Sequence, residues 1–423
     1  MAVPAAGSAG ADLSREQRWR VLFGAVLVLR LLYPFFNSPL SHIFSDPQRH
    51  WDNAGLFLTP SVMGSGDPFL YQLWLFVLRR MSDDAGALIL SGCGALCAAM
   101  PYGWYRALRE LLPRLAALRS AVLIGLWPSF LGIYAYFMNE TLLLTLTGFA
   151  FWLSLRLLRR RDLPAWSAAC ALWLLAGFTR TVALPMAAIC LLCAWLVQPL
   201  KLRAAGVAVL LSLLLAIPAG LHGGSALNYF APLGNLYLNE IYHAGDNKSI
   251  QIDMGARGSY IFGSPSYYNP TFYPFSDWTS SRTGVLSITI DTRNGRADWR
   301  STLAQIPHRS LSGQWHDFVE NLCFLLFGQS WPDNDRSSVV CWLTVWSRWL
   351  FVPSVLAVAV AVRRGVYRGR DWLLPLCALL SLGLLLVQRE GIMEGRYRKP
   401  LEPIFMAALL LAAQARTRPE ALA

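Results

Sequence analysis

The sequence predicts an all-α, polytopic membrane protein of about ten transmembrane helices, with a small, partly β domain on the outer side. Three observations carry this expectation. First, 55% of the 423 residues are hydrophobic and only 15% are charged, with a mean hydropathy of +0.39; that excludes an ordinary soluble protein. Second, apolar runs of about 17–22 residues, long enough to cross a bilayer, recur along the chain. Third, the stretch 222–335 changes character, with Asn, Tyr, Gly, Ser and Pro replacing Leu and Ala.

The elements follow in order. A small, polar tail (1–18) precedes a transmembrane region (19–221) with predicted spans at 20–36, 84–104, 119–137, 140–156, 163–179, 182–198 and 204–221. The first span has no small-residue cleavage site after it and reads as an uncleaved anchor. The first outer loop covers 37–83. Within it, the apolar core Phe69–Leu78 is too short to span, so 68–80 is expected as a helix at the outer surface, with Arg79 and Arg80 at headgroup level. The outer domain, 222–335, carries the alternating run Val285, Ser287, Ile288, Thr289 and Ile290, then Arg293-Asn294-Gly295 with hairpin-turn chemistry. A C-terminal transmembrane region (336–415) supplies spans at 338–361, 371–388 and 400–414, before a short tail at 416–423.

Charge sets the orientation. The net charge is +12, but the basic residues lie in short clusters between apolar runs rather than on one face, which excludes a nucleic-acid partner. Arg15/Arg18/Arg20, Arg106/Arg109/Arg114/Arg119, Arg156/Arg159/Arg160/Arg161, Lys201/Arg203, Arg363/Arg364/Arg368/Arg370 and Arg416/Arg418 share one side. By the positive-inside rule that side is cytoplasmic, as are both termini. Arg dominates over Lys, which occurs only at 201, 248 and 399. Together with abundant Ala and Leu this fits a GC-rich bacterial genome, so the expected location is the bacterial cell inner membrane, with the functional face periplasmic.

Cysteine and histidine point to no familiar chemistry. Seven of the eight cysteines fall in predicted spans, and Cys190-Leu-Leu-Cys193 sits in a Leu/Ala run that reads as packing. The six histidines lack metal-ligand spacing, and there is no phosphate-binding P-loop, dinucleotide glycine fingerprint or G-x-S-x-G elbow. Arg30, inside the first span, is expected to snorkel or pair internally.

The candidate site lies instead at the outer span ends. Ser45-Asp46-Pro47-Gln48-Arg49-His50-Trp51-Asp52-Asn53 gathers two carboxylates, Arg49, His50 and Trp51 just after the first span. Ionisable residues crowded there form the default functional hypothesis. Glu140 follows Asn139 in the next outer turn, Arg180 lies between Thr179 and Thr181, and Arg396, Tyr397, Arg398 and Lys399 precede the last span. The cations at 396, 398 and 399 run against the positive-inside bias, and an anionic ligand near the outer headgroups explains them. Each has a plainer reading. Asp46 and Asp52 are solvated carboxylates, Glu140 terminates a helix at the end its dipole favours, Arg180 pairs structurally with Glu140, and Arg396–Lys399 contact lipid headgroups nonspecifically.

This pattern resembles the C-type glycosyltransferase (GT-C) superfold, and within it the bacterial protein mannosyltransferases and lipid A aminoarabinose transferases. The matching pieces are Ser45-Asp46 with Trp51-Asp52-Asn53-Ala54, the turn Asn139-Glu140, Gly177-Phe178-Thr179-Arg180, and Gly395-Arg396-Tyr397-Arg398-Lys399-Pro400-Leu401-Glu402-Pro403. The resemblance implies a donor sugar on a polyprenyl phosphate and transfer with inversion to an acceptor hydroxyl on a lipid, glycan or protein. It also implies Asp46 or Asp52 as catalytic base, with Arg49, His50, Glu140, Arg180, Arg396, Tyr397, Arg398 and Lys399 as donor-phosphate or substrate-binding groups. A divalent metal, Mg or Mn, is compatible with the two carboxylates. The outer domain is expected to bind the acceptor through Tyr267, Tyr268, Tyr273, Trp278 and Trp315. Two other classes compete. A polysaccharide polymerase or ligase would use Arg257, Arg282, Arg293, Arg296, Arg300 and Arg309 of the large outer segment. A transporter of lipid-linked glycan should show paired repeats and broken helices, and the sequence displays neither.

Overall fold

A computed structural model of the chain describes residues 6–58, 69–81, 85–160, 162–180, 182–197, 201–223, 249–254, 286–293, 296–297, 304, 310–327, 350–387 and 395–415. The N-terminal part is a run of helices: α1 (Ala6–Phe36), α2 (Ser45–Gly55), α3 (Phe69–Arg80), α4 (Ala85–Arg109), α5 (Arg114–Leu126), the short α6 (Pro128–Gly132), α7 (Asn139–Arg160), α8 (Leu163–Thr179), α9 (Ala183–Leu196) and α10 (Lys201–Gly223). The C-terminal part supplies α11 (Leu311–Phe327), α12 (Phe351–Arg363), α13 (Leu373–Leu386) and α14 (Glu402–Ala415). Local chemistry starts and stops them. Asp162 caps α8, its carboxylate accepting from the Ala165 amide at 2.7 Å, with Pro164 in the first turn.

The architecture is that of a helical membrane protein. Among the described residues four segments are long and apolar enough to cross a bilayer: Arg15–Ser41, Gly86–Arg109, Asn139–Arg160 and Gly369–Leu386. Arg114–Leu126 with Pro128–Ala135 makes a fifth when taken as one span. Leu163–Thr179, Ala183–Leu196, Phe351–Arg363 and Glu402–Ala415 are apolar but shorter. α7 has 22 residues, and a helix of that length is about 33 Å long, close to the hydrocarbon thickness of about 30 Å.

Close backbone approach orders the bundle. α4 and α7 run side by side, with Thr145 donating to the Leu96 carbonyl at 3.0 Å and Arg106 lying 4.1 Å from the Trp152 ring centroid. Gly103 and Gly148 meet between those contacts, each with the other's backbone 3.2 Å from where its Cβ would stand. α1 runs antiparallel to α4, where a Cβ on Gly94 would sit 2.1 Å from the Leu31 carbonyl oxygen. Small residues serve this purpose in bilayers, because helix association there depends on packing rather than on expelling water.

Cations paired with aromatic rings mark both ends of the bundle. At the Arg160 end, Arg106 lies over Trp152, Arg119 over Trp19 at 5.5 Å and Lys201 over Trp195 at 5.5 Å. At the Glu140 end, Arg79 lies over Trp51 at 4.1 Å and Arg180 over Tyr397 at 4.8 Å. Such rings prefer the headgroup level.

The predicted span 119–137 is not straight. It bends by 60° between α5 and α6, where Pro128 removes an amide donor and frees carbonyls of the preceding turn. Arg30 of α1, fully buried, bonds to carbonyls on both sides of the bend. It donates to the carbonyls of Gly125 (2.7 Å), Phe130 (3.1 Å) and, across on α4, Cys97 (2.6 Å). Its guanidinium also lies 5.3 Å from the Tyr134 ring centroid. Of the two expectations for Arg30, internal pairing is the one realised, with carbonyls as partners.

Two strands, β1 (Ser249–Met254) and β2 (Leu286–Arg293), pair antiparallel with Ser249 opposite Asp291 and Met254 opposite Leu286; a short β3 (Arg296–Ala297) pairs back with Arg293 opposite Arg296. Most of 222–335 lies outside the described residues. That includes Tyr267, Tyr268, Tyr273, Trp278, Arg257, Arg282, Arg300 and Arg309, while Trp315 is exposed and stacks on Phe318.

Two stability predictions follow from the packing. Gly94→Ala should cost about 1–3 kcal/mol through overpacking, whereas Gly24→Ala, with nothing within 4 Å of its Cβ, should be neutral or slightly stabilising. Arg30→Met strands three carbonyls and should cost upwards of 3 kcal/mol, from about 1–3 kcal/mol per orphaned group. Denaturant or thermal unfolding of the purified protein in detergent measures both; a neutral Arg30→Met would mean that the bend holds without its cation.

Candidate functional site

The segment predicted as an ionisable loop is a helix, α2. Phe44, with extended backbone, precedes it, Pro47 sits in the first turn where its missing amide costs nothing, and Asp46 occupies the end that favours a negative charge. Helical geometry then separates the two carboxylates. Six residues apart, Asp46 and Asp52 leave the axis about 120° apart, whereas Asp46 and His50, one turn apart, share a face. Asp46 pairs with Arg49 at 2.6 Å, its side chain mostly covered and that of Arg49 48% exposed. Asp52 is exposed and lies near Arg79, whose guanidinium covers the Trp51 ring and donates to the Trp51 carbonyl. Burial lowers the Arg79 pKa from its usual value, the Asp52 carboxylate pulls it back up, and Arg80 pushes it down again. The Arg79 charge is turned onto α2, where the Trp51 ring and carbonyl are its partners.

His50 is buried and meets the Tyr71 ring edge-on, centroids 5.3 Å apart. Tyr71, on α3 and only 1% exposed, reaches the first turn of α7. Burial pushes its phenol pKa well up, with Cys93 and Glu140 adding to the rise and a hydrogen bond with Thr141 opposing it. The phenol therefore remains a hydroxyl at neutral pH. The polypeptide before α7 completes the contact with the first segment: Tyr136 packs on His42 and Phe44 (5.4 and 6.3 Å), and Phe137 stacks on Trp51 (5.0 Å).

Glu140, in the first turn of α7, is fully buried and forms an ion pair with Arg180. Arg180 is delivered by the end of α8. Its amide still bonds to the Ala176 carbonyl (2.9 Å), but its backbone is extended (φ −163°, ψ 132°), so the chain leaves the helix there before α9 begins. Its guanidinium lies over Tyr397 of the 3₁₀ turn Gly395–Arg398. Glu140, Arg180 and Tyr397, distant in sequence, are thus in contact, and His50 joins them through Tyr71. Neither a family model nor a curated protein sequence matches this chain.

The remaining cations part company. Arg396 belongs to the same turn, but its side chain lies outside the described residues. Arg398 and Lys399 are fully buried. Arg398 donates to Glu402 (2.7 Å) and to the Leu325 carbonyl of α11 (3.1 Å). Lys399 reaches the Ser129 carbonyl of α6 at 3.1 Å. Both point into the bundle rather than toward a ligand at the headgroups. The carbonyls of the bent segment and the Glu402 carboxylate draw them inward, since neither has water to bond to.

Among the described residues, no group of three or more His, Cys, Asp and Glu side chains is placed to hold a metal ion. Asp46 is engaged with Arg49 and Asp52 leaves α2 on another side, so the two carboxylates do not fit Mg or Mn together. Sequence reasoning missed Tyr71, Thr141, Tyr136 and Phe137. A buried tyrosine in an apolar helix carries no local mark of function; the available signal was the short polar step at Tyr71-Gln72 within an otherwise apolar α3.

The Glu140–Arg180 pair yields a direct test. Arg180→Leu leaves the buried Glu140 carboxylate without its cation and should cost about 3–5 kcal/mol, while Arg180→Leu with Glu140→Leu should recover most of it. A denaturation double-mutant cycle measures this. A loss below about 1 kcal/mol, the range of exposed pairs, would contradict a buried pair.

Proposed function

We propose that this chain is an integral-membrane transferase with the GT-C superfold, of about ten spans. It moves a sugar from a polyprenyl-phosphate donor to an acceptor hydroxyl at the periplasmic face of a bacterial inner membrane. One observation carries the reading: Asp46 occupies the first turn of a helix whose next turn is tied, through His50 and Tyr71, to Glu140, Arg180 and Tyr397 at one end of an apolar bundle. Acid, cation and aromatic groups from five separate parts of the chain meet where a lipid-linked substrate would present its headgroup.

The chemistry assigns roles. Asp46 takes the proton of the acceptor hydroxyl as its oxygen attacks the anomeric carbon, and attack opposite the phosphate inverts that centre. The leaving group is a lipid phosphate that needs charge stabilisation rather than an acid, unlike the paired carboxyls of a glycosidase. Arg49, half-exposed and bonded to Asp46, is the cation best placed to exchange that partner for the donor phosphate, which in turn frees Asp46 to act as base. Arg396 is the second phosphate ligand. Arg180 is already neutralised by Glu140 and serves to fix the Tyr397 turn. Arg398 and Lys399 act in positioning, and Asp52 holds Arg79.

A second reading has one specific observation behind it. The α5–α6 break is the kind of feature expected in a transporter of lipid-linked glycan. Here, however, Arg30 and Lys399 bond to the carbonyls around the break, which suits a fixed support better than a moving gate.

Proteoliposomes supplied with a polyprenyl-phosphate sugar test both readings. Asp46→Asn should lower transfer by about 10²–10⁴ with binding of the undecaprenyl-phosphate carrier retained. Arg49→Ala should weaken carrier binding and turnover together, and Asp52→Asn should stay active. An inactive Asp52→Asn beside an active Asp46→Asn would move the base to Asp52. Donor crossing the bilayer with its sugar still attached would establish the transporter.

A further inference from the structure

α9 and α13 pack together near mid-bundle, and at their contact the sulfurs of Cys190 and Cys377 lie 3.5 Å apart, both side chains fully buried. The two residues are 187 positions apart in sequence, so the pair joins the N-terminal bundle to the C-terminal helices. Cys193, one turn along α9 and only partly buried, is the electrostatic neighbour of both. Ser154 of α7 faces Cys190 and accepts the Trp173 indole hydrogen bond at 2.9 Å, so the surround is tightly packed and water-poor. A disulfide needs sulfurs at about 2.05 Å, so these thiols must approach by roughly 1.5 Å, within reach of small side-chain rotations where the two helices already touch.

We propose that Cys190 and Cys377 are a redox pair whose oxidation staples α9 to α13. Two thiols give up two protons and two electrons and one S–S bond forms; an apolar two-electron oxidant of the quinone class takes both and becomes the hydroquinone. The oxidant is of this class because the pair lies among apolar helices, where a water-soluble disulfide such as oxidised glutathione has poor access. The staple fixes the C-terminal helices, which carry the Tyr397 turn, against the bundle that carries Arg180. The proposal is independent of the transferase reading.

The test uses the full chain in lipid nanodiscs. The protein is treated with a fully substituted quinone, which oxidises thiols without adding to them, then denatured and labelled with a maleimide polymer that reports each free thiol. The chain has eight cysteines. Oxidised wild type should carry two labels fewer than untreated protein and regain them after dithiothreitol, and non-reduced peptide mapping should join the Cys190 and Cys377 peptides. Cys190→Ala and Cys377→Ala, each verified as folded by size exclusion, should lose no labels. Wild type that keeps every thiol, a linkage between any other pair, or an unchanged label loss in both variants would overturn the assignment.

Discussion

The Arg30 guanidinium, buried in the last two turns of α1, is the constraint on which the Glu140 end of the molecule rests. A bilayer offers no water to a broken helix, so the carbonyls freed at the Trp127–Pro128 step must find donors within the protein. Arg30 gives three charged hydrogen bonds, two to the segment around the break and one to α4, and Lys399 reaches a fourth carbonyl on α6. The charge is spread over carbonyl dipoles and the face of Tyr134. With the break fixed, the chain beyond it is aimed. Tyr134 hydrogen-bonds to the Thr141 carbonyl and meets Thr145 at 3.0 Å; Tyr136 and Phe137 meet the first segment, and Glu140 meets Arg180.

The same demand for donors accounts for the fate of Arg398 and Lys399. A cation near the outer headgroups has a choice between water, phosphate and the protein's own unpaired oxygens. Where a carboxylate such as Glu402 stands one helical turn away, or a bent helix exposes the Ser129 carbonyl, the cation turns inward, and its hydrogen bonds to those oxygens offset part of its desolvation. The consequence for chemistry is a division of labour. Interior cations hold the turn that carries Tyr397, and Arg49 stays half-exposed beside Asp46.

Legibility followed the range of the physics. Glu140 and Arg180 stood out because ionisable side chains at the ends of apolar runs have few reasons to exist, and pairing with Glu140 was one of two readings for Arg180. Arg30 was conspicuous for the same reason, although its partners, being backbone carbonyls, carry no sequence mark. The helix α2 was hidden by its composition: Asp, Pro, Asn and Gly suggest a loop, and only contact with Tyr71, Phe137 and Arg79 favours the helix. Tyr71 was invisible, since a tyrosine in an apolar helix looks the same whether it fills space or links His50 to Thr141.

What the sequence determined by itself was the class of environment and the places where charge violates it. Hydropathy and the spacing of Arg clusters are sums over many residues, so they survive ignorance of any single contact. What the tertiary structure alone decided was which of those charges face one another. Helix rotation separated Asp52 from Asp46, the bend at Pro128 turned Lys399 inward, and the extended backbone at Arg180 brought it to Glu140. The last two depend on local geometry and on partners 270 and 40 residues away, and hydrogen bonds and ion pairs are short-ranged enough that no linear pattern specifies them.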